Sequence, residues 1–120
     1  MSAVRFCYLS PPEMHRLDIA CVPLKVAFGT PYLVGSVNTR RDYRDVDVRL
    51  ILDDDDPALV DGPRVRALNF TLSEYLRAMT GLPVDFQFQS MTDANSGEHE
   101  GFRNPLGLRW DPRLREQAGR

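Results

Sequence analysis

Asp45-Val46-Asp47-Val48-Arg49-Leu50-Ile51-Leu52 is the stretch on which the fold turns. Residues i and i+2 of a strand share a face, so Val46, Val48, Leu50 and Leu52 make one apolar face. Asp45 and Asp47 then project side by side from the other face, roughly 6.6 Å apart along the backbone. Asp53 to Asp56 and Pro57 end this strand as a solvated turn. Upstream, Pro31 to Val34 reads as a short strand leading into a Gly35-Ser36 turn, and the polar, Arg-rich Val37 to Asp45 reads as a loop. Downstream, Asp61-Gly62-Pro63 opens a helix whose stripe is Val65, Leu68, Leu72, Leu76 and Met79, stopped by Gly81 and Pro83. A second strand, Pro83 to Gln89, alternates Val84, Phe86 and Phe88 with Asp85, Gln87 and Gln89.

Further out, Val4 to Leu9 reads as a short strand or an arm. Ser10-Pro11-Pro12-Glu13 is a helix start, with Ser10 as N-cap, Pro11 at the first helical position and Glu13 closing a capping box. Pro23 breaks or kinks the helix that follows, leaving a second piece from Leu24 to Phe28 that ends at Gly29. Thr92 to Asn104 reads as loop, Leu106 to Trp110 as a last short strand, and the tail from Pro112 as frayed. The order predicts an α/β (α+β) fold: a small mixed β-sheet with helices packed on one face. The passage from Asp45 to Gln89 favours a right-handed crossover, which returns the Asp85 strand beside the Asp45 strand. Residues 1–120 form one domain, with a core at about 11–90 and a loop-rich extension at 91–120.

Composition narrows the class of protein. A hydrophobic content of 42% with 27% charged residues is that of a soluble globule. A net charge of −2 offers no general attraction for nucleic acid, although all 15 basic residues except Lys25 are arginine, a side chain whose fork matches phosphate. Cys7 and Cys21 lack metal-ligand spacing and read as buried free thiols of a reducing compartment. No apolar run is long enough to span a bilayer, so no membrane partner is expected. The expected location is cytoplasmic, with a phage particle left open.

If the two acidic strands pair, Asp45, Asp47 and Asp85 converge on one polar patch beside the Gly35-Ser36 turn. Carboxylates this close need a compensating cation, and hard oxygen ligands select Mg²⁺ or Mn²⁺. Three acids suffice for two ions about 3.5–4 Å apart, one activating an attacking hydroxyl and the other holding a triphosphate. Gly35 lets the backbone approach phosphate closely, and the Ser36 hydroxyl with adjacent amides donates to its oxygens. Arg40, Arg41 and Arg44, between turn and strand, are placed to neutralise remaining phosphate charge.

Val34-Gly35-Ser36, then Asp45-Val46-Asp47-Val48, then Val84-Asp85-Phe86 resembles the signature of the DNA polymerase beta-type nucleotidyltransferase superfamily, closest to its minimal members, small domains found in bacteria and their phages. The resemblance covers roughly Thr30 to Gln89. It implies Mg²⁺-dependent transfer of a nucleoside monophosphate from an NTP to a hydroxyl of a protein, an RNA or a small molecule. Carried over by position, Gly35 and Ser36 hold phosphate, and Asp45, Asp47 and Asp85 bind metal. The spacer between Ser36 and Asp45 is eight residues, shorter than is typical, and has Asn38-Thr39-Arg40-Arg41 where minimal members carry Arg-Gly. No helical domain follows to bind base or acceptor, so specificity falls to the C-terminal loop, a partner protein or a homo-oligomer.

Other polar clusters read more plainly. Glu98-His99-Glu100 lies in a Gly/Ser/Asn-rich loop, Trp110 anchors the tail, and His15 has no catalytic neighbour. Three function classes stay open: an active nucleotidyltransferase; a non-catalytic nucleotide- or metal-binding regulator, antitoxin-like; or a structural or interaction protein, for example phage-encoded, that reuses the scaffold.

Overall fold

A computed structural model describes residues 7–96 and 102–108 of the chain. Glu98-His99-Glu100, Trp110, the tail from Pro112 and the first half of the expected Val4–Leu9 arm lie outside the described residues. Helix α1 (Pro11–Ala20) starts as its sequence dictates. The Ser10 hydroxyl accepts from the Glu13 amide and the Glu13 carboxylate accepts from the Ser10 amide, a complete capping box. The chain breaks at Cys21 and resumes as α2 (Val22–Phe28), whose first turn tolerates Pro23 because the amides there need no intrahelical acceptor.

Strands β1 (Pro31–Val34), β2 (Val46–Leu52), β3 (Val84–Ser90) and β4 (Asn104–Pro105) form one mixed sheet in the order β3-β2-β1-β4. β1 runs antiparallel to β2 and β4, while β2 and β3 are parallel. Val46, Val48, Leu50, Val84, Phe86 and Phe88 point from one sheet face into the core, where α1, α2 and α3 (Gly62–Thr80) add Leu17, Ala20, Leu24 and Leu76. This is the expected α+β architecture with helices against the sheet. Cys7 and Cys21 are buried, and burial, helped by nearby Asp18, pushes the Cys21 thiol up to about 12.

Three details depart from the sequence pattern. Met79 is 55% exposed. It lines a shallow surface pocket with His15, Arg16, Ile19 and Ala20 of α1, so this end of the stripe is left in solvent. The start of the expected Thr92–Asn104 loop instead belongs to helix α4 (Met91–Ser96), capped by the Ser90 hydroxyl accepting from the Asp93 amide. Its first residues are tied to the Asp53–Asp56 turn, where the Asp54 carboxylate accepts from the amide and hydroxyl of Thr92. Among the described residues the last strand lies at Asn104–Pro105, and Leu106–Leu108, the described part of the strand expected at Leu106–Trp110, is not strand. Gly107, at φ 75°, turns the chain away, and Asp18 captures the amides of Gly107 and Leu108.

The β3 edge is closed by the helix instead of a fifth strand. The Ser73 hydroxyl donates to the Phe86 carbonyl and accepts from its amide, Asn69 Oδ1 accepts from the Phe88 amide, and Arg77 Nε donates to the Val84 carbonyl. Four helical residues rise about 6 Å and two strand residues about 6.6–6.8 Å, so side chains spaced by four stay in step with alternate strand residues. Polar groups at these three positions therefore cover an edge that would otherwise template aggregation.

Candidate functional site

The sheet face opposite the core carries the polar members of the strand alternation. Register places Asp47 directly opposite Asp85 and Arg49 opposite Gln87 across the parallel β2–β3 pair. Val34 pairs with Asp47, so the Gly35-Ser36 turn leaves β1 beside the acids. There the chain forms a single 3₁₀ turn, Gly35–Asn38, entered through Gly35 at φ 81°, a left-handed conformation that glycine adopts without strain. The Ser36 carbonyl accepts from the amides of Thr39 and Arg40.

These elements enclose an open cleft of about 570 Å³ lined by Gly35, Ser36, Asp45, Asp47, Asp85 and Arg49, among others. All five residues expected at the turn and the acidic positions are thus in one place. Asp45 is exposed at the entrance, one residue before β2 begins, whereas Asp47 and Asp85 are half-buried on the strands. The arginines divide. Arg40 lines an adjoining pocket of about 420 Å³ with Arg44, Tyr43, Ser36, Asp45 and Asp47. It forms a bidentate pair with Asp42, at 3.0 Å for each bond, and this guanidinium holds the Asp42 carboxyl below its usual range. Arg41 sits in the exposed turn beyond and lines neither cavity.

Sequence pattern alone did not single out Arg49. Its side chain is 5% exposed and lies between the two strand acids, with Nη2 at 3.2 Å from Asp85 Oδ2 and 3.7 Å from Asp47 Oδ1. Nη1 donates to the carbonyls of Asp85 at 2.8 Å and Val48 at 3.1 Å. An arginine two residues after Asp47, on the same face, is the signal that would have found it. The cation that the paired carboxylates require is thus supplied in part by the chain itself. Among the described residues, no three His, Cys, Asp or Glu side chains are grouped closely enough to hold a metal ion. The acids share a cleft without forming a ready-made three-ligand cage.

Asn38 ties the turn to the C-terminal segment. Its Nδ2 donates to the carbonyls of Leu33 and Phe102, and its Oδ1 accepts from Asn104. Phe102, at the cleft wall, was likewise not anticipated. No described helix is long and apolar enough to cross a membrane. No family model matches this sequence, and no curated protein and no solved structure is significantly similar to it.

Proposed function

We propose that the cleft binds a nucleoside triphosphate and transfers its nucleoside monophosphate to a hydroxyl acceptor. The observation that carries this reading is the meeting of a glycine turn and three aspartates in one cleft, with Asp47 and Asp85 directly opposite each other. Three carboxylates and the Arg49 guanidinium leave the cleft with two negative charges, the complement of one divalent cation. Mg²⁺ commonly takes only one or two carboxylates and completes its shell with water and substrate phosphates, so a closed protein cage is not required. Asp45 and Asp47 are the residues to hold Mg²⁺ or Mn²⁺, which when bound would neutralise phosphate charge.

The chain's own residues do the rest. Gly35 admits the phosphates to the backbone, and the Ser36 hydroxyl and the turn's first amides donate to their oxygens. Arg44, in the adjoining pocket, adds positive charge where pyrophosphate departs, and Arg40 does so by exchanging its Asp42 partner for phosphate. The acceptor oxygen attacks the α-phosphorus, the bond to the bridging α–β oxygen breaks, and pyrophosphate leaves. Asp85, held by Arg49, is positioned to take the acceptor's proton. The acceptor is a protein, an RNA or a small molecule, supplied in solution or by a partner chain.

The Arg49 bridge also favours a second reading, a nucleotide-binding regulator without turnover, because a built-in cation satisfies two acids before any metal arrives. Incubation with α-³²P-labelled NTP, Mg²⁺ or Mn²⁺ and cell lysate separates the two. A labelled acceptor that disappears in Asp45→Ala supports transfer, and Asp45 is exposed enough for that variant to keep its fold. Metal-dependent NTP binding without label transfer supports the regulator. No nucleotide binding with either metal removes both and leaves an interaction scaffold.

A further inference from the structure

The cleft is polar except at one point. Every other described lining residue is glycine or carries a polar side chain, yet Phe102 stands in the wall 52% exposed. A phenylalanine with half its surface in water offers apolar area that a flat ligand group can cover. The ring is carried on a firmly placed segment. The Phe102 carbonyl accepts from Asn38 Nδ2 at 3.3 Å, and Asn104 Nδ2 donates to Asn38 Oδ1 at 3.0 Å. Arg103 Nη2 donates to the Ala94 carbonyl at 2.8 Å and to Asn95 Oδ1 at 2.9 Å. Just past β4, Leu106 is fully buried and its amide donates to the Pro31 carbonyl.

Strand pairing says where this wall stands. Asn104 pairs with Leu33, and Phe102, two residues before Asn104, lines the cleft together with Gly35. Across the cleft the order is therefore Asp85, Asp47, the Gly35-Ser36 turn, then Phe102. A nucleotide with its phosphates between the acids and the turn carries its base towards the aromatic side.

We propose that Phe102 is the platform on which the nucleotide's base stacks, and that the cleft takes purine in preference to pyrimidine nucleoside triphosphates. The inference rests on the reading of the cleft as an NTP site and adds to it the base-binding residue and the base class. Stacking depends on the overlapped π-face, which is larger for a purine, and it needs no base-specific hydrogen bond.

Isothermal titration of the full chain with ATP, CTP and inorganic triphosphate, each with Mg²⁺, tests it. Removing one stacked base typically costs a factor of about 10 or more in affinity. Phe102→Ala should therefore weaken ATP about tenfold, weaken CTP less, and leave triphosphate within twofold. Phe102→Leu, which keeps apolar bulk without the ring, should behave like Phe102→Ala, and Phe102→Trp should retain ATP. If wild type binds ATP and triphosphate but Phe102→Ala binds ATP equally well, the base platform is refuted while the NTP site stands. Equal losses for ATP and triphosphate also refute it, since Phe102 would then act through the wall's structure. If wild type binds neither ligand, the NTP site and the platform fall together.

Discussion

Replacing Arg49 with methionine isolates the charge that joins the two acidic strands, because methionine keeps most of the apolar stem. The guanidinium is 5% exposed and touches two carboxylates and two backbone carbonyls. Removing one partner from a buried ion pair costs about 3–5 kcal/mol, since the remaining charge is left without compensation. Here Asp47 is 13% exposed but Asp85 is 38% exposed, so water screens part of the loss. The expected destabilisation of Arg49→Met is therefore about 2–3 kcal/mol. With a urea m-value of about 1–3 kcal/mol/M, the unfolding midpoint should drop by about 0.7–3 M. The variant also turns Asp47 and Asp85 into a pair in need of a cation. Millimolar Mg²⁺ should then raise its midpoint relative to EDTA, through a stabilisation of as much as about 2.7 kcal/mol at a hundredfold excess over Kd. Urea curves in Mg²⁺ and in EDTA, for wild type and variant, decide the matter. A midpoint unchanged by Arg49→Met would refute the claim that this arginine compensates the acids, and a loss that Mg²⁺ does not relieve would refute the claim that the pair can take a metal in its place.

Three further outcomes are expected. Ser73→Ala leaves both the amide and the carbonyl of Phe86 without their side-chain partner at a covered sheet edge, which should cost about 1–3 kcal/mol and lower Tm by several degrees in a calorimetric scan. Gly107→Ala places a Cβ 2.8 Å from the Cys21 carbonyl oxygen at φ 75°, so it should destabilise more than Gly81→Ala, which has the same left-handed backbone but nothing within 4 Å. The urea midpoints of the two variants, measured side by side, provide the comparison. Hydrogen bonds from the Thr92 hydroxyl, then from its amide, hold the Asp54 carboxyl below its usual value. The stabilisation is present above the ordinary aspartate range near about pH 4 and lost as pH falls through Asp54's lower folded value. The Thr92 amide resonance should titrate with an inflection below that of an unperturbed aspartate, and the shift should vanish in Asp54→Asn.

Where side chains repeat with the period of their element, the structure follows the sequence. Alternation over residues 46–52 and 84–90 sent valine, leucine and phenylalanine to the core and left Asp47, Asp85 and Gln87 on the other face. The capping box at Ser10, the Asp61 cap and the left-handed Gly81 stop lie where short motifs place them. Helix α4 escaped because six residues are too few for a periodic stripe, although Ser90 three residues before Asp93 was a cap signal. Met79 fits the helical stripe and is nonetheless exposed, because period says which way a side chain faces and not whether a partner is there to cover it.

The sequence by itself determined the first three strands, the long helix, the Gly-Ser turn and the face each aspartate occupies, since these depend on neighbours a few residues away. Tertiary structure alone decided that Asp47 stands opposite Asp85, because register across a parallel pair is set by the packing of the helix between the strands. It alone decided that Arg49 bridges them and that Phe102 joins the turn through Asn38, a contact between residues 64 positions apart. Such contacts leave no local period to read: they exist only once the chain has closed on itself.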